Sequence, residues 1–410
     1  MTEGEREDGP KGADGMADRL LDRVLKGDLR HLLLALIVFG LLLYGAVIAI
    51  DGLVLRPFLG DVLSEPTDLN VYRARAENIL AGKVPYVDFQ SESPPLIMYL
   101  FVIPQLAGGS TQAYQLFFAA FAILTSLTLF LFLRKWDERK AMATALLYLA
   151  YPLGLMEFGF GVQDEAVTTL LFVLPLLLLI AQRPGLSGAT SCAGVLTKMF
   201  NVIVLPWMFL RSRDRARLHI VLAFAGIALL LVLPFIVLYP EHLPSFRYYL
   251  LGNPEYPTGG SSISPWHYLG KLGYGLPGWA GVALTLTGVG AATLYSYWKD
   301  MTLWQGATLV TVVFFLTYPK VLLVYFMMPA LLLLVWGVED RRVVLRLTAM
   351  LVPLFLSVAL TGNGMTPIAD EPWVWLLGMA LSLAGWALMV QAWWAVRERV
   401  PFFERMPERD

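Results

Sequence analysis

The sequence predicts an all-α polytopic membrane protein of about 12 transmembrane helices, with an interfacial helix in its first outer loop. Three observations carry that expectation. Of the 410 residues 57% are hydrophobic and only 15% charged, with mean hydropathy +0.62, too little charge to keep a soluble domain in solution. Apolar runs recur near the length a bilayer core requires, roughly 20 helical residues. Clusters of Lys and Arg fall at every second end of those runs, as the positive-inside tendency demands.

Residues 1–31 are polar and close on Arg19, Arg23, Lys26 and Arg30, the basic collar of a cytoplasmic tail. Leu32–Ile50 follows with no Ala-x-Ala cleavage site, so it reads as an anchor crossing outward. The outer loop 51–112 comes next, and its stretch from Asp61 to Pro95 holds six carboxylates: Asp61, Glu65, Asp68, Glu77, Asp88 and Glu92. Within it Leu69, Tyr72, Ala76, Ile79 and Leu80 recur at helical spacing, with Arg73, Arg75, Glu77 and Asn78 off that stripe. Thr67 or Asp68 can cap this helix and Gly82 can stop it, which defines the interfacial element.

Leu96–Ala107 is about 12 residues long and too short to span. Were it to cross, Ala113–Leu133 would carry Arg134, Lys135, Arg139 and Lys140 outside, so it too reads as interfacial. Ala141–Glu157 goes out and Ala166–Gln182 returns to Arg183. Leu186–Leu210 as one crossing would leave Arg211, Arg213, Arg215 and Arg217 outside. Two short helices meeting near Lys198 bring them back, and broken helices are tolerated where they line a cavity. Leu218–Tyr239 leads to a second outer loop, 240–277, rich in Pro, Gly, Ser, Tyr and Trp, with Arg247, His267 and Lys271. Gly278–Trp298, Thr302–Thr317, Val321–Val338, Leu345–Thr361 and Trp373–Val396 complete the crossings, with Asp370 and Glu371 in the last outer loop. The expected organisation is a tail 1–31, a membrane module 32–217, C-terminal membrane helices 218–396 and a tail 397–410. It places a multi-pass protein in the cell membrane with both termini cytoplasmic.

The formal net charge of −1 is the sum of charges segregated by side, and no nucleic-acid partner is expected. The single cysteine, Cys192, lies in an apolar run, and His31, His219, His242 and His267 show no metal spacing. Neither a metal nor a cofactor is expected.

Candidate chemistry gathers on the outer face: the acids of the first loop, Asp164 and Glu165, Lys198, and Lys320 with Tyr325. Charged groups at membrane depth are expensive and usually functional. Each has a plainer reading beside that one. Asp68 serves as helix cap or as base, roles that do not exclude each other. Asp88 closes a turn after Pro85 and Tyr86, or joins the site. Glu92 is a solvated loop charge or a site carboxylate. Asp164 and Glu165 open a helix whose positive end favours acids, or face a substrate. Lys198 snorkels or grips an anion. Lys320, Tyr318 and Tyr325 belong to an interfacial belt or to the site. His267 beside Trp266 packs, or takes part in chemistry.

A carboxylate can take a proton from an acceptor hydroxyl, and a lysine can neutralise a leaving phosphate. At Asp68 and Tyr72, Ile79, Leu80 and Gly82, Pro85 and Tyr86, Asp88 and Phe89, and Glu92, Pro94 and Pro95, the chain resembles the GT-C superfamily of polyprenyl-phosphate-sugar-dependent glycosyltransferases, in its mannosyltransferase-like branch. The resemblance covers roughly residues 50–210 and continues loosely at Thr197, Lys198 and from Lys320 to Tyr325. It implies hexose transfer, mannose first, from a polyprenyl-phosphate sugar to a glycan, glycolipid or protein acceptor outside the cytoplasm. It also implies that an early acid of the first outer loop, here Asp68, is the base. Where relatives carry a basic residue before the Pro-Pro pair, this chain has Ser93, which moves the expected phosphate contacts to Lys198 and Lys320. Asp88, Glu92, Asp164, Glu165, Tyr325 and His267 form a second line. The competing expectation is a transporter or lipid flippase without catalytic activity, which needs acids or amides inside its spans.

Overall fold

A chain this apolar must satisfy its backbone internally, and helices do so within each segment. The computed structural model describes residues 27–59, 67–242, 262–362 and 371–405. Among these residues there is no strand, only one isolated bridge between Pro85 and Phe89. Asp61 and Glu65 of the acidic loop, Arg247, Asp370, and most of the N-terminal tail lie outside the described residues.

Helix α1 (Leu29–Ile50) is capped by Asp28, which accepts the His31 amide, and runs on through a π-turn at Asp51–Leu55. Helix α2 (Thr67–Leu80) forms where the sequence predicts a helix in the acidic loop and is ended by Gly82 at φ 79°. Short helices α3 (Pro95–Leu100) and α4 (Val102–Leu106) occupy the segment judged too short to cross. Helix α5 (Thr111–Leu133), capped by Ser110, lies antiparallel to α1, since Gln115 meets Asp51 while Ile123 packs at Gly40.

Helix α6 (Glu138–Leu149) and α7 (Pro152–Gly154), which passes into a π-turn at Leu155–Phe160, form a pair bent by 42° at the break between them. Helix α8 (Glu165–Ile180) precedes the pair α9 (Pro184–Val195) and α10 (Asn201–Arg211), the two short helices expected to meet near Lys198. Then come α11 (Asp214–Leu238), α12 (Pro265–Lys271), α13 (Gly278–Trp298) and α14 (Leu303–Thr317), the last opened by a Thr302–Gln305 capping box. A 3₁₀ turn at Leu323–Phe326 leads into α15 (Met327–Gly337), and α16 (Arg341–Ala349), α17 (Leu351–Thr361) and α18 (Pro372–Val396) complete the chain.

Burial sorts these helices. Every residue of α15 is buried, which suits a run apolar on all sides. In α11, also strongly apolar, only Ile220 and Phe235 are fully buried, so apart from the side that packs on α9 much of its surface is bare of protein. A helix with that surface is matched to lipid. Among the described residues five helices are long and apolar enough to cross a membrane, and six if the bent pair counts as one span. The others are shorter, such as α8, α10, α14 and α15, or, like α13, are diluted by Gly, Thr and Tyr.

The two ends of the bundle differ in charge. At one end Lys140 pairs with Glu339 at 2.8 Å, Arg211 with Asp300 at 2.6 Å and Arg399 with Asp340 at 2.9 Å, so the basic clusters gather together. Phe402 and Phe403 are buried there, and Phe403 stands edge-on to Trp304 at 5.1 Å. The residues of the acidic loop and the Lys198 turn meet at the opposite end.

Candidate functional site

The tip between α9 and α10 is built by local backbone rules. The Lys198 amide donates to the Gly194 carbonyl at 2.9 Å and the Thr197 hydroxyl to the same carbonyl at 2.8 Å, which closes α9. Asn201 opens α10 and ties it to α8 by donating to the Leu171 carbonyl at 2.6 Å. The Leu96 amide donates to the Leu196 carbonyl at 2.9 Å, so the Pro94–Pro95 corner of the outer loop is fastened to the tip.

Lys198, set in the break between the helices, reaches the start of α8. Its ammonium donates to Asp164 Oδ1 at 2.8 Å and to Glu165 Oε1, and lies 5.2 Å from the Tyr325 ring centroid. Tyr325 is itself buried edge-on to Phe200 at 4.7 Å. Asp164 is 6% exposed and Glu165 is fully buried, with Glu165 Oε2 lacking a hydrogen-bond partner among the described residues. Two carboxylates against one ammonium leave the cluster one negative charge in excess, and in a low-dielectric setting such an excess is costly unless a proton or cation offsets it. Lys198 is thus engaged by acids and does not snorkel. Asp164 is the N-cap residue of α8 and Glu165 its first residue, where the helix dipole favours acids, yet the Asp164 side chain accepts no amide of that helix and turns to Lys198 instead.

Asp68 sits one residue inside α2, half-buried, and accepts from Gln163 Nε2 at 3.2 Å. Among the described residues it accepts no amide of its own helix, so capping does not occupy it. Gln163 follows Val162, a buried β-branched residue held at φ 54°, a conformation such side chains rarely adopt and which costs on the order of 1–3 kcal/mol. Glu157, in the π-turn after α7, lies within electrostatic reach of Asp68, and the absence of a Cβ at Gly161 lets its chain fold back. One turn along α2, Tyr72 is stacked on Phe101 at 4.2 Å and buried among these acids. Burial, then the carboxylates of Asp164, Asp68 and Glu165, hold its hydroxyl well above the ordinary tyrosine range, so it stays a proton donor.

The structure therefore brings together Asp68, Asp164, Glu165, Lys198 and Tyr325. Asp88 stays apart: it is exposed and accepts the Val84 amide at 2.7 Å, closing the turn in which Tyr86 adopts φ 68°. Glu92 is exposed and makes no hydrogen bond or ion pair among the described residues. Lys320 is half-buried beside Tyr318 and likewise has no acidic partner there. His267 belongs to another cavity, against Trp375 at 6.1 Å.

Sequence reasoning missed Arg75, Glu157 and Gln163. Arg75 donates to Ser93 Oγ at 2.6 Å and so delivers a guanidinium to the residue before the Pro-Pro pair, with no carboxylate partner among the described residues. Its signal was its place seven residues after Asp68, on the same helical face. Both π-turns near this end carry an acid, Asp51 and Glu157, and such turns concentrate at functional sites. Asp51 is satisfied by Arg56 at 2.8 Å and Gln115 at 2.7 Å.

Compared with protein-family models and with characterised proteins, the chain matches none.

Proposed function

We propose that the chain is an integral-membrane glycosyltransferase of the GT-C type. It moves a hexose, mannose first among candidates, from a polyprenyl phosphate to an acceptor hydroxyl on the extracytoplasmic face. The observation that carries this reading is Asp68: a half-buried carboxylate held by one amide, Gln163, at the edge of a buried acid–lysine cluster where the interfacial helix meets the hairpin tip. The reading takes the acidic end of the bundle as the outer one and the shorter helices as further crossings, to a total of about 12.

In the reaction the acceptor O–H gives its proton to Asp68 while its oxygen attacks the anomeric carbon. The bond from that carbon to the phosphate oxygen breaks, and the polyprenyl phosphate leaves with the electron pair. A phosphate needs no proton to leave, so one base suffices and the configuration inverts, unlike the two-carboxylate scheme of glycosidases. Lys320 and Arg75 have no acidic partner among the described residues, and they suit the departing phosphate. Lys198 joins them when one of its two carboxylates is released. Tyr72 and Gln163 orient the acids.

The test is turnover by purified protein in detergent, given labelled polyprenyl-phosphate-mannose and a membrane-lipid extract. Labelled product supports the reading. Donor that binds and is carried across proteoliposomes unreacted favours the transporter reading, for which the unpartnered buried Glu165 oxygen speaks.

A further inference from the structure

Apart from the Asp68 and Lys198 cluster, α12 walls a separate cavity of about 330 Å³. Trp266, His267 and Lys271 come from α12, Leu276 from the segment after it, Gly278 from the start of α13, and Pro319 from the turn beside Lys320. That volume is at the small end of ligand pockets, roughly 300–1,000 Å³, and suits a headgroup rather than an acyl chain.

The cavity contains polar groups with nothing to bond. His267 is only 5% exposed, and its ring stands edge-on to Tyr268 and Trp375 at 5.7 and 6.1 Å. Among the described residues neither ring nitrogen has a hydrogen-bond partner; only the backbone amide is used, donating to Ser264 Oγ at 3.1 Å. Burial and the neighbouring Lys271 push the imidazole down to about 4, so near neutral pH it offers one donor and one acceptor. The Lys271 ammonium lies 5.1 Å from the Trp375 ring centroid and meets no carboxylate among the described residues. A neutral hydroxyl-matching group beside an unneutralised cation selects an anion that carries hydroxyls.

The rim says where such a ligand comes from. Leu276, on the lining, is 44% exposed, and Tyr274 and Trp279, next in the chain to the lining residues Gly275 and Gly278, are 74% and 76% exposed. Aromatic and aliphatic side chains left bare beside a lysine are the pattern of the headgroup layer.

We propose that this cavity binds the phosphate-bearing headgroup of an anionic membrane lipid, with Lys271 on the phosphate, His267 on a headgroup hydroxyl, and the acyl chains running past Leu276 and Trp279. A zwitterionic choline headgroup would bring its own cation against Lys271 and is disfavoured. Binding needs no glycosyl transfer, so it stands or falls independently of the reaction proposed above.

The experiment is native mass spectrometry of the purified, delipidated protein titrated with phosphatidylglycerol, with phosphatidylcholine and with soluble glycerol phosphate. The expected result is a saturable phosphatidylglycerol adduct weakened at least about fivefold by Lys271→Gln, and none with phosphatidylcholine. Lys271 is exposed, so the variant keeps its fold, which an unchanged melting temperature verifies. Equal adducts for both proteins, or for both lipids, would overturn the proposal. Glycerol phosphate binding as tightly as the lipid, with the same loss in Lys271→Gln, would overturn the lipid source and assign a free phosphate ester.

Discussion

Lys198 holds two acids, and this arithmetic decides how the site responds to substitution. Removing the ammonium leaves Asp164 and the fully buried Glu165 facing each other uncompensated. Breaking a buried pair from one side costs on the order of 3–5 kcal/mol. Lys198→Met therefore lowers the melting temperature in detergent by many degrees. Glu165→Gln leaves a balanced Asp164–Lys198 pair and costs much less; the reverse order, measured by thermal unfolding, would contradict the charge count. At this scale the sequence was partly legible. Lys198 stood out as a charge inside an apolar run, and Asp68 through the resemblance carried by the first polar loop. Arg75, Glu157 and Gln163 did not, because their meaning comes from partners far off in the chain: Gln163 meets Asp68 across 95 positions. For Asp88 the sequence left a turn or a place in the site open, and the structure gives the turn, with its oxygen taken by the Val84 amide.

Among elements, the α9–α10 hairpin matters most, since it carries Lys198 to α8 and anchors the Pro94–Pro95 corner through Leu196. Its own support is α11. A Cβ at Gly188 would overlap the Ile220 backbone, so α9 and α11 approach as closely as two backbones can. Backbone cannot swing aside as a flexible side chain does. Gly188→Ala is thus expected to push the helices apart, destabilising by about 1–3 kcal/mol and lowering turnover though it touches no site residue. Unchanged stability would mean that the hairpin is not braced there. The break at Lys198 was legible from charge alone, because one long crossing would have carried four arginines to the wrong side. The π-turns at Asp51–Leu55 and Leu155–Phe160 were not, because one extra residue in a turn leaves the apolar pattern intact. The 42° bend after Leu149 was hidden for a related reason: Tyr151 and Pro152 sit inside a run that hydropathy reads as continuous.

For the whole molecule, the account requires two chemically different ends on opposite sides of a membrane. Among the described residues the helices long and apolar enough to cross number five or six, and the other segments expected to cross are shorter helices such as the fully buried α15, or the longer but less apolar α13. Hydropathy alone does not separate a short crossing from a core helix. Labelling does. With buried Cys192 replaced by Ser, a cysteine at exposed Glu92 reacts with an impermeant maleimide in intact cells, whereas one at exposed Asp300 reacts only after permeabilisation. Both reacting from one side would contradict the orientation. The most direct test of the central claim is initial-rate sugar transfer by Asp68→Asn beside the unchanged protein, with polyprenyl-phosphate-mannose as donor. Asn keeps the size of Asp68 and an oxygen for Gln163 but cannot take a proton. The account predicts a loss of about 10²-fold or more, with the melting temperature unchanged. Transfer at the original rate by the Asn variant would remove Asp68 as the base.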